Sequence, residues 1–179
     1  MQNAEKKYRR ELSYVYAECK TLFIRAEEKF SDMKFFVAPT LEHRDALDHI
    51  MRYFTLIDNE DVSQRALDEL DRALSHELRA YFDIADFVSL TIRKEIADSL
   101  KYISSRQIIK IWKNYIEIKE DVVNISEEIA KIRQNRGSSI EHIEKYKPIM
   151  EKLFLIYDAY MTEIEPKIRI KSHFFFSKK

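Results

Sequence analysis

Apolar residues recur along this chain at alternating steps of three and four, the period of a helix with one buried side. The first run, Tyr8, Leu12, Val15, Cys19, Leu22, Ala26, Phe30 and Met33, predicts a helix from about Ala4 to Met33. "KFFVAP" interrupts it, because the residue before Pro39 is disfavoured in the helical region. Thr40 then stands where a helix cap belongs, ahead of a second helix expected to bury Leu47, Ile50, Met51 and Phe54. A third helix, with Asp61 or Ser63 as cap, carries Leu67, Leu70, Leu74, Leu78, Tyr81, Ala85, Val88 and Ile92 and extends to about Ile103.

"ISSRQ" restarts the pattern with Ser104 or Ser105 as cap. The fourth predicted helix holds Ile108, Trp112, Tyr115, Ile118, Val122, Ile125, Ile129 and Ile132. "NRGSS" reads as a turn, with Gly137 as the stop and Ser138 or Ser139 as the next cap. A fifth helix, containing Pro148, turns Ile143, Met150, Leu153, Tyr157, Tyr160 and Ile164 inward. The expected fold is all-α, an up-and-down bundle of about five long antiparallel helices. Residues 1–166 form its single domain, and 167–179 a basic, aromatic tail.

Composition narrows the chemistry. One glycine and three prolines in 179 residues leave no room for a G-x-G-x-x-G dinucleotide loop, a phosphate-binding P-loop or a G-x-S-x-G nucleophile turn. With Cys19 alone, neither an intramolecular disulfide nor a thiolate-rich zinc site can be built. Cys19 lies on the apolar stripe of the first helix, as a small core residue would. None of the five histidines follows a glutamate by three positions, so the Glu-x-x-His pairs of a di-iron bundle are missing, as is a His-x-x-x-His zinc pair. No cofactor or metal is expected. The N-terminal residues lack the apolar run of a signal peptide, and no apolar run reaches the roughly 18 residues of a membrane span. A cytoplasmic location is the expectation.

Net charge is zero but uneven. Residues 40–100 hold 14 acidic and 7 basic side chains, whereas the 13 residues from Lys167 to Lys179 hold five basic ones and no acid. That tail, "KIRIKSHFFFSKK", could stack on bases or an anionic surface through Phe174, Phe175 and Phe176, but packing on the bundle or a dimer contact is the favoured reading.

The densest chemistry lies in "TLEHRDALDHIMRYF", residues 40–54. Glu42, Asp45, His49 and Arg52 are spaced three, four and three apart, a polar stripe expected opposite the apolar one. Asp45 can orient His49 from four residues away, and Arg44 can pair with Asp48. A solvated face laced with ion pairs would look the same. The functional alternative is RNA cleavage, with histidine as acid or base and arginine at the phosphate. Such cleavage can use the 2′-hydroxyl of RNA as nucleophile, so it requires no metal.

Arg44-Asp45-Ala46-Leu47-Asp48-His49 resembles the signature of the HEPN (higher eukaryotes and prokaryotes nucleotide-binding) superfamily. That signature is an arginine followed directly by a polar residue, with a histidine a few positions on. The resemblance is carried by this short motif and the helical class. It implies a metal-independent endoribonuclease of a prokaryotic defence or toxin system, with a composite site at a homodimer interface. Arg44 would stabilise the phosphate, His49 would move the proton, and Asp45 would orient His49. RNA is then the implied substrate, and an antitoxin or regulatory protein a possible partner. Catalytically dead members of the superfamily imply the alternative, a non-catalytic helical adapter or scaffold module.

Overall fold

A computed structural model describes residues 2–30, 36–59, 64–134 and 140–169. The elements there are α1 (Gln2–Lys29), α2 (Val37–Asp58), α3 (Gln64–Leu100), α4 (Ser105–Ile111), α5 (Tyr115–Gln134) and α6 (Ile140–Ala159). A π-helical turn, Tyr160–Ile164, follows α6. The protein is all-α, with six helices among the described residues rather than the five expected. None of these helices is long and apolar enough to cross a membrane. Met33, the caps assigned to Asp61, Ser63, Ser138 and Ser139, the Gly137 stop and the Phe174–Phe176 triplet lie outside the described residues.

The chain forms two compact units. One comprises Met1–Val88 with Arg136–Glu144, the other Ser89–Asn135 with Lys145–Lys179. In the first unit, Val15, Cys19, Leu22, Ala26 and Phe30 of α1 are buried as their spacing predicts. The Leu67-to-Ile92 stripe of α3 is buried throughout, and so are Ala66, Ala73, Ala80 and Phe82 on other sides of the same helix. The three alanines suit a helix enclosed on several sides, because small side chains let neighbouring backbones approach. A satellite cluster of Tyr53, Ala66 and Leu70, joined by Tyr8, Leu56 and Ile57, ties α1, α2 and α3. There the Tyr53 hydroxyl donates to Glu5 Oε1 at 2.5 Å. Burial, then that bond to the carboxylate, pushes the Tyr53 phenol up to about 12.

The start of α2 differs from expectation. The helix begins at Val37, before Pro39, and Thr40 lies inside its first turn with Oγ1 donating to the Phe36 carbonyl at 2.7 Å. Proline is tolerated there, because first-turn amides have no partner within the helix.

In the second unit, the predicted fourth helix is two. Ser104 is the N-cap of α4, its amide and hydroxyl both donating to Gln107 Oε1 at 3.2 and 2.9 Å. Trp112 then leaves the helical region at φ −123°, ψ 92°, and α5 starts three residues on. The indole is buried, its ring 6.0 Å from that of Tyr115 and 6.1 Å from that of Tyr160. A single helix satisfies the apolar period, but packing of this large side chain overrides it. On α6 and the π-turn, all six predicted residues from Ile143 to Ile164 are buried. Tyr157 donates to Glu95 Oε2 at 2.5 Å, and Arg93 Nη1 to Ser126 Oγ at 2.5 Å, which fastens α3 to α6 and to α5.

Candidate functional site

Three histidine–glutamate pairs join α2 to α3. His49 Nδ1 lies 2.6 Å from Glu69 Oε2, His43 Nδ1 2.9 Å from Glu77 Oε1, and His76 Nδ1 2.8 Å from Glu42 Oε2. From His49–Glu69 to His43–Glu77 the partner on α3 advances as the one on α2 recedes, so the two helices run antiparallel. His43 and His49 are six residues apart and Glu69 and Glu77 eight, close to two helical turns in each case. Matching spacings let both pairs form at once.

The outer pairs make one cluster. The rings of His49 and His76 stack, with centroids 5.2 Å apart and planes 26° from parallel. Glu69 holds Nδ1 of His49, while Nε2 has no hydrogen-bond partner among the described residues. A carboxylate on one ring nitrogen fixes the tautomer and makes the other nitrogen the better base. His76 is less settled. Arg79 Nη2 lies 2.6 Å from the same Nδ1 that faces Glu42, and Arg79 Nε donates to Glu42 Oε2 at 2.8 Å. With a proton on Nδ1 the ring donates to Glu42, and without one it accepts from Arg79. The two bonds are alternatives. Burial raises the Glu42 carboxyl, but the bonds from Arg79 and His76 outweigh it and hold the group below the usual range. Arg72 lies 3.6 Å from Glu69 and adds a second cation at the rim.

The inner pair belongs to a different trio. Cys19 Sγ of α1 lies 3.5 Å from His43 Nε2, so the His43 ring meets a thiol at one nitrogen and the Glu77 carboxylate at the other. Tyr16 meets the His43 ring edge-on at 6.2 Å, and Phe23 lies 6.3 Å away. In a nucleophile triad the sulfur must reach a substrate. Here Cys19 is fully buried, and burial, then the Glu77 charge, pushes its thiol up rather than down. The order of groups is that of a triad, but the access is not.

The predicted site residues separate. Arg44 is 68% exposed and donates through Nε and Nη2 to Asp45 Oδ1 at 3.0 and 2.7 Å. That bond holds the Asp45 carboxyl below the usual range. The carboxylate that grips His49 is Glu69 of α3, not Asp45, and Asp48 pairs with Arg52 rather than Arg44. His49, Asp45 and Arg44 do share one stretch of α2, but with different partners. Glu69, His76, Arg79 and the Cys19–His43–Glu77 trio are absent from the sequence reading. Their signal is a cross-helix match of histidines to glutamates 20 to 34 residues away, which no local motif records.

The faces of α2 are also exchanged relative to expectation. Leu47, Met51 and Phe54, expected inside, are 53%, 51% and 49% exposed, whereas Glu42 and His49 of the polar stripe pack towards α3. Ala46 and Tyr53 supply the buried apolar contacts instead. Glu69, His76 and Glu77 on α3 are the reason, since they satisfy the polar groups of α2 where an apolar surface would not. Beside this row, Leu12, Tyr16, Ile50, Tyr53, Phe54 and Leu70 line an open cleft of about 340 Å³. No family model matches this chain, nor does any curated protein or solved structure.

Proposed function

We propose that this chain is a HEPN-like, metal-independent endoribonuclease working through the stacked His49–His76 pair. The supporting observation is that each ring is gripped at Nδ1 by a carboxylate, at 2.6 and 2.8 Å, with arginines at the rim. Glu69 takes the orienting role expected of Asp45. His49 Nε2 accepts the proton of the RNA 2′-hydroxyl as its oxygen attacks phosphorus. Protonated His76 delivers a proton to the departing 5′-oxygen as the P–O5′ bond breaks. Arg44, whose exposed side chain can swing from Asp45, neutralises the phosphorane charge. The products are a 2′,3′-cyclic phosphate and a 5′-hydroxyl. A second copy docked through Leu47, Met51 and Phe54 would bring two such sites together, in keeping with a prokaryotic defence or toxin role.

That same apolar row favours a second reading, a non-catalytic helical module that docks an adapter or regulatory partner. Cleavage of mixed single-stranded and transfer RNA in EDTA separates the two, provided circular dichroism shows the protein folded. The nuclease reading expects cyclic-phosphate ends from the wild type and none from His49→Ala. Intact RNA with both proteins leaves the docking module as the reading.

A further inference from the structure

We infer that Cys19, His43 and Glu77 form a divalent-metal site, selective for zinc by its donors, that links α1, α2 and α3. One ligand atom from each of the three lies within 4.8 Å of the other two. Thiolate sulfur, imidazole nitrogen and carboxylate oxygen are the donors zinc takes. The Cys19 Sγ to His43 Nε2 distance of 3.5 Å matches the spacing of two tetrahedral ligands on one ion, about 3.5 Å for metal distances of about 2.3 and 2.0 Å.

A second observation is independent of that spacing. Glu77 is 5% exposed, and its Oε2 is buried without a hydrogen-bond partner among the described residues. A half-satisfied carboxylate is a costly thing to enclose, and a hydrogen-bonded core trio would have no reason to leave it so. A cation answers both the charge and the orphan oxygen. On binding, the Cys19 thiol releases its proton to solvent and the Glu77 carboxylate exchanges its bond to His43 Nδ1 for one to the metal. The trio contracts, and one position stays open for water. This site stands apart from the nuclease reading, whose His49 and His76 are not ligands.

The test is a titration of the metal-free full chain with Co²⁺, then displacement by Zn²⁺. A saturable thiolate-to-cobalt charge-transfer band is expected, lost in Cys19→Ser and weakened roughly tenfold or more in affinity by Glu77→Gln. Zn²⁺ should abolish the band and raise the thermal midpoint of the wild type. Absence of a thiolate band from folded wild type, or its survival in Cys19→Ser, overturns the site. If Cys19→Ser fails to fold, X-ray absorption of the zinc-loaded wild type decides alone. One sulfur in the zinc shell supports the site, and a shell of only nitrogen and oxygen overturns it.

Discussion

Two histidine–carboxylate clusters share one pair of helices and are finished in opposite ways. The outer one, His49–Glu69 beside His76–Glu42, is open enough to hold arginines, and each of its carboxylates meets a cation as well as a ring. The inner one meets Cys19 of α1 and leaves a buried Glu77 carboxylate oxygen unmatched. Each pair uses the same chemistry, imidazole on carboxylate. What differs is the company of the carboxylates: each outer one meets an arginine as well as a ring, whereas Glu77 meets the His43 ring and keeps its other oxygen buried and unmatched among the described residues. Proton transfer needs the first environment, and tight ligation suits the second.

The sharpest way to break the comparison is His49→Ala, which removes the proposed base. RNA cleavage should fall by about 10²–10⁴-fold, measured as cyclic-phosphate ends, while Cys19→Ser cuts at the wild-type rate. Equal losses in the two variants would mean the clusters are one functional unit. Stability should rank them the other way. In metal-free protein, His43→Ala strands Glu77 with neither oxygen satisfied and should cost about 3–5 kcal/mol, read by urea unfolding. His49→Ala leaves Glu69 its contact with Arg72 and should cost about 1–2 kcal/mol.

Acid titration sharpens the outer cluster. Glu42 has its folded pKa held below the unfolded value, so its stabilisation is fully present above the ordinary carboxylate range and is lost as pH falls through the lower, folded value. Arg79→Gln removes the first of the donors responsible. It should cost about 0.5–1 kcal/mol near neutrality and move acid unfolding, followed by circular dichroism, to higher pH. The smallest effect is expected of Asp45→Asn. Its carboxylate is exposed and turned to Arg44, so thermal midpoint and cleavage rate should both stay at wild type. Glu69→Gln, by contrast, should slow cleavage by about tenfold or more. A slow Asp45→Asn would restore the orienting role that the α2 spacing alone suggests.

Much of the architecture was legible because helical periodicity is local. The stripes of α3 and α6 are buried residue for residue, that of α1 is buried from Val15 to Phe30, and Ser104 caps where its sequence says it should. The break at Trp112 was not legible, since an unbroken helix fits the same spacing and only the packing of the indole against Tyr160 favours two. On α2 both stripes have helical spacing, so periodicity identifies two faces without saying which is inside. That choice was made by Glu69, His76 and Glu77, far along the chain. For the same reason the α2 spacing offered Asp45 as the partner of His49, whereas the carboxylate its ring meets is Glu69 of α3.

The single tryptophan and the single cysteine have a practical consequence. Trp112 is buried within the Ser89–Asn135 segment of one unit, and Cys19 within the Met1–Val88 segment of the other. Each unit therefore carries its own native reporter, indole emission for one and thiol reactivity for the other, with no label to introduce. Overlaid denaturation curves from the two would describe one cooperative transition, and separated curves two units that melt independently.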